Sequence, residues 1–268
     1  MVLVVKVGDR VLNKVLSETG LTDLLRVTRE IPTVLVHGGG DTVTSVAQAL
    51  GLEQRFVVSP EGFRSRYTDA ETIQVFTMVM AGKINKEIVR KLQQKGIPAV
   101  GLSGLDGGLL RASRKERIIV KDDRGRRRVI DGGYTGKITG IGTSLIESLL
   151  ASNYLPVIAP VALGEQFESL NVDGDRAASS IASAIHADTL LLLTDVEGVS
   201  IEGTVSRELS MLDAKSSITK IGGGMITKVH AGVEALEKGV RRVIIASGST
   251  NTPFTSALEL SQGTLITA

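Results

Sequence analysis

Two lysines stand where their type is conspicuous. Lys6 interrupts the apolar run Val2-Leu3-Val4-Val5-Lys6-Val7 and is followed by Gly8. An ammonium in a buried strand is unfavourable unless it faces a cleft or an opposite charge. Lys228 comes just after Gly222-Gly223-Gly224-Met225, in the opening turns of a helical stretch. Taken singly, Lys6 also fits an edge position or a structural ion pair, and Lys228 a solvated helix face. Between them lie Asn171-Val172-Asp173-Gly174-Asp175, which opens a helix, and Thr194-Asp195, which ends the most apolar strand. The first pair of carboxylates also fits plain helix caps. Asp195 sits where an acid facing a nucleotide would be found.

Glycine points the same way. The chain has 30 glycines, and they cluster after apolar runs at Gly8, Gly38–Gly40, Gly101–Gly108 and Gly222–Gly224. Beyond the carboxyl ends of parallel strands, glycine lets backbone N–H groups approach an anion, and the next helix adds a positive dipole. One such loop is common in any α/β protein; several favour a site that handles phosphate. GxxxxGK[ST] is absent, which excludes a P-loop, and no GxGxxG opens the first helix. There is no GxSxG elbow for a serine hydrolase. His37, His186 and His230 match no metal-binding spacing; His37 is placed to hydrogen-bond locally, and the other two read as structural residues on helices. Cysteine is absent, so disulfides, thiolate metal sites and cysteine nucleophiles are excluded. No protein-held metal site is expected.

The elements that must position these groups alternate. Strands are predicted at Val2–Val7, Thr33–Val36, Pro98–Leu102, Pro156–Val161, Leu190–Leu193 and Val243–Ala246. Helices are predicted at Asp41–Leu50, Asp69–Lys95, Thr143–Ser152, Asp173–Ala187 and Met225–Lys238, with Thr68 as the cap of the second. Leu52–Arg66 and Arg117–Asp131 read as hairpins, the latter turning at Asp123-Arg124-Gly125. This is a mostly parallel sheet covered by helices.

At 268 residues, with 42% hydrophobic and 22% charged residues, the chain reads as one folded α/β unit. No apolar run is long enough to span a bilayer. The opening MVLVVKVGDR has no secretory pattern, so a cytoplasmic protein is expected. Net charge is +2, but residues 111–128 alone carry +6, leaving −4 for the rest.

In order along the chain, Lys6-Val7-Gly8, Val36-His37-Gly38-Gly39-Gly40, Arg66-Tyr67-Thr68-Asp69, Asn171-Val172-Asp173-Gly174-Asp175, Thr194-Asp195-Val196-Glu197-Gly198-Val199 and Gly223-Gly224-Met225-Ile226-Thr227-Lys228 resemble the amino acid kinase family. Individually some of these motifs are loose; six in order are specific, and they cover essentially the whole chain. Within the family the sequence resembles the N-acetylglutamate kinase branch. Gly62–Asp69, Met80–Lys86 and Gly101–Gly108 are more similar to the carrier-dependent kinases of lysine biosynthesis. The resemblance implies a three-layer α/β sandwich, with an open, mainly parallel sheet of about eight strands. Residues 1–168 would form an acceptor-binding and dimerisation lobe, and residues 169–268 an ATP-binding lobe. A homodimer is expected. Arginine-inhibited members of the branch carry an added N-terminal helix; this chain opens on its first strand, so arginine feedback and a hexamer are not expected.

The activity implied is phosphoryl transfer from ATP to an ω-carboxylate. The acceptor would be 2-aminoadipate, or also glutamate, whose α-amine is joined to a small acidic amino-group carrier protein of the LysW type. Anion must meet anion in such a step, so cations on both sides are the physical requirement. By resemblance, Lys6 would serve the carboxylate and γ-phosphoryl, Lys228 the leaving group, and Asp175 would position both. Gly39, Gly40, Arg66 and Asn171 would bind the acceptor. Gly8, Gly38, Thr194, Asp195 and Gly222, Gly223, Gly224 and Met225 would bind ATP, with Mg2+ held mainly by the phosphates. Arg124, Arg126, Arg127 and Arg128, with Arg64, Arg111 and Lys115, would dock the carrier. Nucleic acid is a poor partner for this run, which lacks interleaved aromatics. Two other readings stay open: a kinase of free N-acetylglutamate, and a nucleotide-binding regulatory subunit. The second lysine argues against the latter.

Overall fold

The computed structural model describes residues 1–122 and 124–268. Eight strands form the main sheet, in the spatial order Glu208–Ser210, Thr264–Thr267, Arg242–Ser247, Thr189–Thr194, Leu3–Val7, Thr33–His37, Leu155–Ala159, Ala99–Ser103. Six of them run parallel. Thr264–Thr267 is antiparallel to Arg242–Ser247, and Glu208–Ser210 follows it in the same sense. The strand Leu3–Val7 lies in the middle, pairing with Thr33–His37 on one side and Thr189–Thr194 on the other.

Both faces of the sheet are covered, which is why its strands read as unbroken apolar runs. Side chains alternate between the two faces. Leu3, Val5 and Val7 enter one core together with Leu24, Phe76 and Phe254. Val4 enters the other with Val34, Ile158, Leu192 and the helices Gly174–Ala184 and Met225–Glu237. By parity Lys6 shares the face of Val4, so its side chain is directed at those two helices.

A second sheet of four strands joins Ser169–Asn171, Val161–Leu163, Leu110–Arg114 and Gly136–Ile141. The single strand predicted at Pro156–Val161 is therefore two, Leu155–Ala159 and Val161–Leu163, in different sheets. Pro160 stands between them, and its missing N–H and fixed φ interrupt the ladder there. The hairpins Phe56–Val58/Arg64–Arg66 and Arg117–Lys121/Arg127–Asp131 are separate two-stranded ribbons.

The long helix predicted from Asp69 to Lys95 is Ala70–Thr77 and Asn85–Gln94 joined by a π-helical stretch, Met78–Ile84. Its cap is Asp69, whose carboxylate accepts the Thr72 N–H at 2.8 Å. Thr68, predicted for that role, sits one residue too early. Its hydroxyl instead accepts from Asn171 Nδ2 at 2.9 Å and donates to the Arg66 carbonyl at 3.2 Å. Asp123 of the predicted hairpin turn lies outside the described residues. The loop is organised by Asp122, whose Oδ1 accepts the Arg124 and Arg126 N–H groups, and by Gly125 at φ 75°. His186, read as helical, lies just past Ala184 in left-handed backbone at φ 51°. Among the described residues, no helix is long and apolar enough to cross a membrane.

Candidate active site

Leu3–Val7, Thr33–His37 and Thr189–Thr194 end side by side, and a cleft of about 1210 Å³ opens beyond their carboxyl ends. Lys6 reaches it from the first strand. Beneath it, the helix Gly174–Ala184 begins. Asp173 is its cap, accepting the Arg176 N–H at 2.9 Å, and Asp175 lies in its first turn. Lys6 Nζ is 2.8 Å from Asp175 Oδ1, and Lys228 Nζ is 3.1 Å from Asp175 Oδ2. Lys228 comes from the first turns of Met225–Glu237, which packs against Gly174–Ala184.

Lys6 and Asp175 are buried and Lys228 is half-buried at the cleft. Burial works to raise Asp175, but Lys6 and Lys228 outweigh it and hold the carboxyl below its ordinary range. Burial works to lower Lys6, and Asp175 outweighs it, so the ammonium persists. Asp173, the helix cap two residues from Asp175, is exposed. One buried carboxylate thus holds two ammonium groups at the floor of the cleft, and cations so placed suit an anionic ligand.

The glycine loops differ in what they offer. Gly8 and Gly38 spend their N–H groups on backbone: Gly8 donates to Leu193 O and Gly38 to Val7 O, each at 2.9 Å. They give closeness rather than donors. A Cβ on Gly39 would stand 2.2 Å from Ile84 Cδ1, so glycine lets the loop lie close against the π-helical stretch. Gly40 opens the helix Gly40–Ala49 beside Arg66, whose Nη2 donates to Gly40 O at 2.7 Å and Thr44 Oγ1 at 2.9 Å and whose Nη1 bonds Gln54. Across the cleft, a Cβ on Gly222 or Gly224 would meet nothing within 4 Å, and Gly223 has φ 57°. The protein itself does not fill the space over that loop, which fits a bound phosphate chain.

Thr194 donates to Asp195 Oδ1 at 3.1 Å, and Asp195 Oδ2 pairs with Arg10 at 2.9 Å. Arg10 holds the Asp195 carboxyl below its usual range. His37 is buried and neutral, pushed down to about 4 by burial. Its Nδ1 bonds Gly38 O at 2.9 Å, and Asn85 Nδ2 lies 3.3 Å from Nε2. Asn85 Nδ2 also donates to Val157 O at 2.9 Å and Leu102 O at 3.2 Å, tying three strand ends together.

The cleft gathers Lys6, Gly8, Gly38, Gly39, Gly40, Arg64, Arg66, Lys115, Asn171, Thr194, Asp195, Gly222, Gly224, Met225 and Lys228. Arg111 and the Arg124–Arg128 tip do not line it. Arg126 and Arg128 are tied to Asp122, at 3.0 and 3.1 Å. Residues that sequence reasoning passed over also line the cleft: Asp9, Arg10, Asp41 and Arg176. The signal available for Asp9 was a charge directly after the Lys6 strand.

The amino acid kinase family model matches residues 1–247. The chain belongs to the amino acid kinase family. It is 46% identical to the LysW-aminoadipate/LysW-glutamate kinase of Saccharolobus solfataricus, over 98% of each chain. It is 52% identical to a Cenarchaeum symbiosum protein that bears the same name provisionally, over 87% of this chain and 88% of that one. The solved structure of smu.665 from Streptococcus mutans superposes with a TM-score of 0.81 at 24% identity, covering 100% of this chain and 98% of that one. The amino acid kinase fold read from the six motifs is thus the fold observed.

Proposed function

We propose that the chain transfers the γ-phosphoryl of ATP to the ω-carboxylate of 2-aminoadipate, and of glutamate, held through its α-amine by an acidic LysW-type carrier. The products are ADP and an acyl phosphate for lysine, and by the glutamate arm arginine, biosynthesis in the cytoplasm. The observation that carries the reading is the Lys6–Asp175–Lys228 array at the floor of the cleft. The names of the relatives, at more than 40% identity over most of their length, support the acceptor and the carrier.

A carboxylate oxygen attacks Pγ and the bond from Pγ to the β,γ-bridging oxygen breaks, with its electron pair leaving on ADP. No proton is lost, since the acceptor is ionised at neutral pH. The protein's work is alignment and charge neutralisation. Lys6 sits on the side of Gly39, Gly40 and Arg66, and is assigned to the carboxylate and the equatorial oxygens. Lys228, behind Gly222–Met225, is assigned to the leaving oxygen. Asp175 holds both ammonium groups in place. Asn171 and Arg66 are assigned to the acceptor's α-carboxylate and amide end. Thr194, Asp195 and the open glycine loop line the nucleotide side. Mg2+ neutralises the polyphosphate when bound.

Residues 1–168 are assigned to the acceptor side and 169–268 to the nucleotide side. The basic hairpin, with Arg64 and Lys115 at the cleft wall, gives an acidic carrier a positive approach. A homodimer is part of the proposal: the main sheet ends on Ala99–Ser103, which pairs on one side only, beside the helix of exposed Met78.

The test is ADP release, with hydroxylamine trapping of the acyl phosphate, on carrier-linked 2-aminoadipate, carrier-linked glutamate and free N-acetylglutamate. Turnover of the carrier-linked acceptors is expected. Turnover of free N-acetylglutamate alone, or nucleotide binding without turnover of any acceptor, overturns the reading.

A further inference from the structure

Asp9 follows the Lys6 strand directly and has no part in the mechanism above. It is half-buried in the cleft wall, at the first position of the helix Asp9–Val15. Its Oδ2 accepts the Asp41 N–H at 2.5 Å and lies 3.9 Å from where a Cβ on Gly40 would stand. The carboxylate is thus seated on the N-terminus of the ten-residue helix Gly40–Ala49. The cations that act on it are Lys6 and Arg66, and the nearby acid is Asp41. An N–H at a helix start flanked by Lys6 and Arg66 is the set of partners that an incoming carboxylate requires.

We propose that Asp9 is a resident carboxylate in the acceptor site, which holds the helix seat until the ω-carboxylate of the amino acid displaces it. The inference rests on the assignment of Gly39 and Gly40 to the acceptor. Two carboxylates on one donor set repel, so acceptor binding and the Asp9–Asp41 contact exclude each other. Burial foremost, and the Asp41 carboxylate after it, push Asp9 above the ordinary carboxylate range against the pull of the Asp41 N–H, Lys6 and Arg66. Its charge is held there at a disadvantage and yields to a better-anchored anion. The apparent affinity for acceptor is then the intrinsic affinity multiplied by the fraction of molecules in which Asp9 is unseated. An acceptor anchored elsewhere, by its carrier, can overcome that; a short free carboxylate cannot.

The test compares wild type with Asp9→Asn, which keeps shape and an acceptor oxygen, and with Asp9→Gly, which removes the group. KM is measured for carrier-linked 2-aminoadipate and for MgATP, with the acceptor Kd by calorimetry in the absence of nucleotide and Tm alongside. Both variants are expected to lower the acceptor KM and Kd about tenfold, with KM for MgATP unchanged. An acceptor KM that stays the same or rises, with a lower Tm, makes Asp9 a tie between two helices and overturns the inference. A raised KM for MgATP overturns it as well, by placing Asp9 on the metal-nucleotide side. The wild-type arm separates the two readings: without turnover there, the proposed function fails before Asp9 is in question.

Discussion

Lys6 and Lys228 hold the two oxygens of one buried carboxylate, at 2.8 Å from Oδ1 and 3.1 Å from Oδ2 of Asp175. They come from distant parts of the chain and meet at that carboxylate. The array therefore makes its members unequal. Removing one lysine leaves a single intact pair, whereas removing Asp175 leaves two ammonium groups facing each other.

Lys228→Ala is expected to lower kcat at least ~100-fold while leaving Tm within a few degrees of wild type, because the Lys6–Asp175 pair survives. Asp175→Asn is expected to lose ~3–5 kcal/mol of stability as well as activity. The sign with pH follows from the depressed carboxyl: its contribution is present above the unfolded carboxylate value and disappears as pH falls through the folded one. Steady-state kinetics and denaturant melts of the two variants check this. A Lys228→Ala enzyme of near-normal kcat removes that residue from the chemistry.

Arg66→Lys retains charge but cannot span Gly40 O, Thr44 and Gln54 at once. The start of the helix Gly40–Ala49 then loses its brace. The acceptor KM is expected to rise at least ~10-fold and the ATP KM by less than about twofold. Equal increases in both constants count against the assignment.

The basic hairpin calls for a particular choice of variant. Arg126 and Arg128 bind Asp122, so reversing them disturbs the turn along with the charge. Arg124→Glu with Arg127→Glu changes charge at the tip and spares those pairs. This double variant is expected to raise the KM for carrier-linked acceptor several-fold at low salt and flatten the salt dependence of kcat/KM, with the ATP KM unchanged. An unchanged acceptor KM at low salt makes the hairpin a solvated surface.

His37 is buried neutral, with its value pushed down to about 4 from the ordinary 6.5. Below pH 6.5 the unfolded chain takes up a proton that the folded one refuses. Stability therefore falls between pH 6.5 and about 4, by up to ~3 kcal/mol in total. His37→Gln is expected to flatten this slope. Denaturant melts from pH 7 to 4.5 on both proteins test it, and parallel slopes reject it.

The main strands were legible because both faces of the sheet are buried, and an unbroken apolar run with one lysine in it has few other readings. The fold family was legible because six motifs recur in order. Helix ends followed the same logic, but Thr68 and Asp69 are both good caps, and the choice between them depends on Asn171 reaching Thr68 from a distant strand. The helices Asp9–Val15 and Glu18–Glu30 were missed, since short loops and a polar outer face hide their period. Asp23 anchors the second of them, accepting the Phe254 N–H at 2.7 Å, a contact between residues far apart in sequence. Asp9 was invisible for a similar reason: its role depends on Asp41, which only the folded sheet brings to it. The π-helical turn was hidden as well, because its apolar positions fit an α-helix; Gly39 is what it packs against.

The first strand in chain order lies in the middle of the sheet. Leu3–Val7 finds Thr33–His37 early, but its other edge waits for Thr189–Thr194, with Leu3 opposite Thr189 and Val7 opposite Leu193. For most of synthesis the nascent chain presents an open, apolar edge at what becomes its centre, a template for mispairing with other chains. Closing it is a long-range event and hence slow. Fragments that stop before Thr194 should aggregate, and refolding should be limited by docking of Thr189–Thr194 onto the first strand.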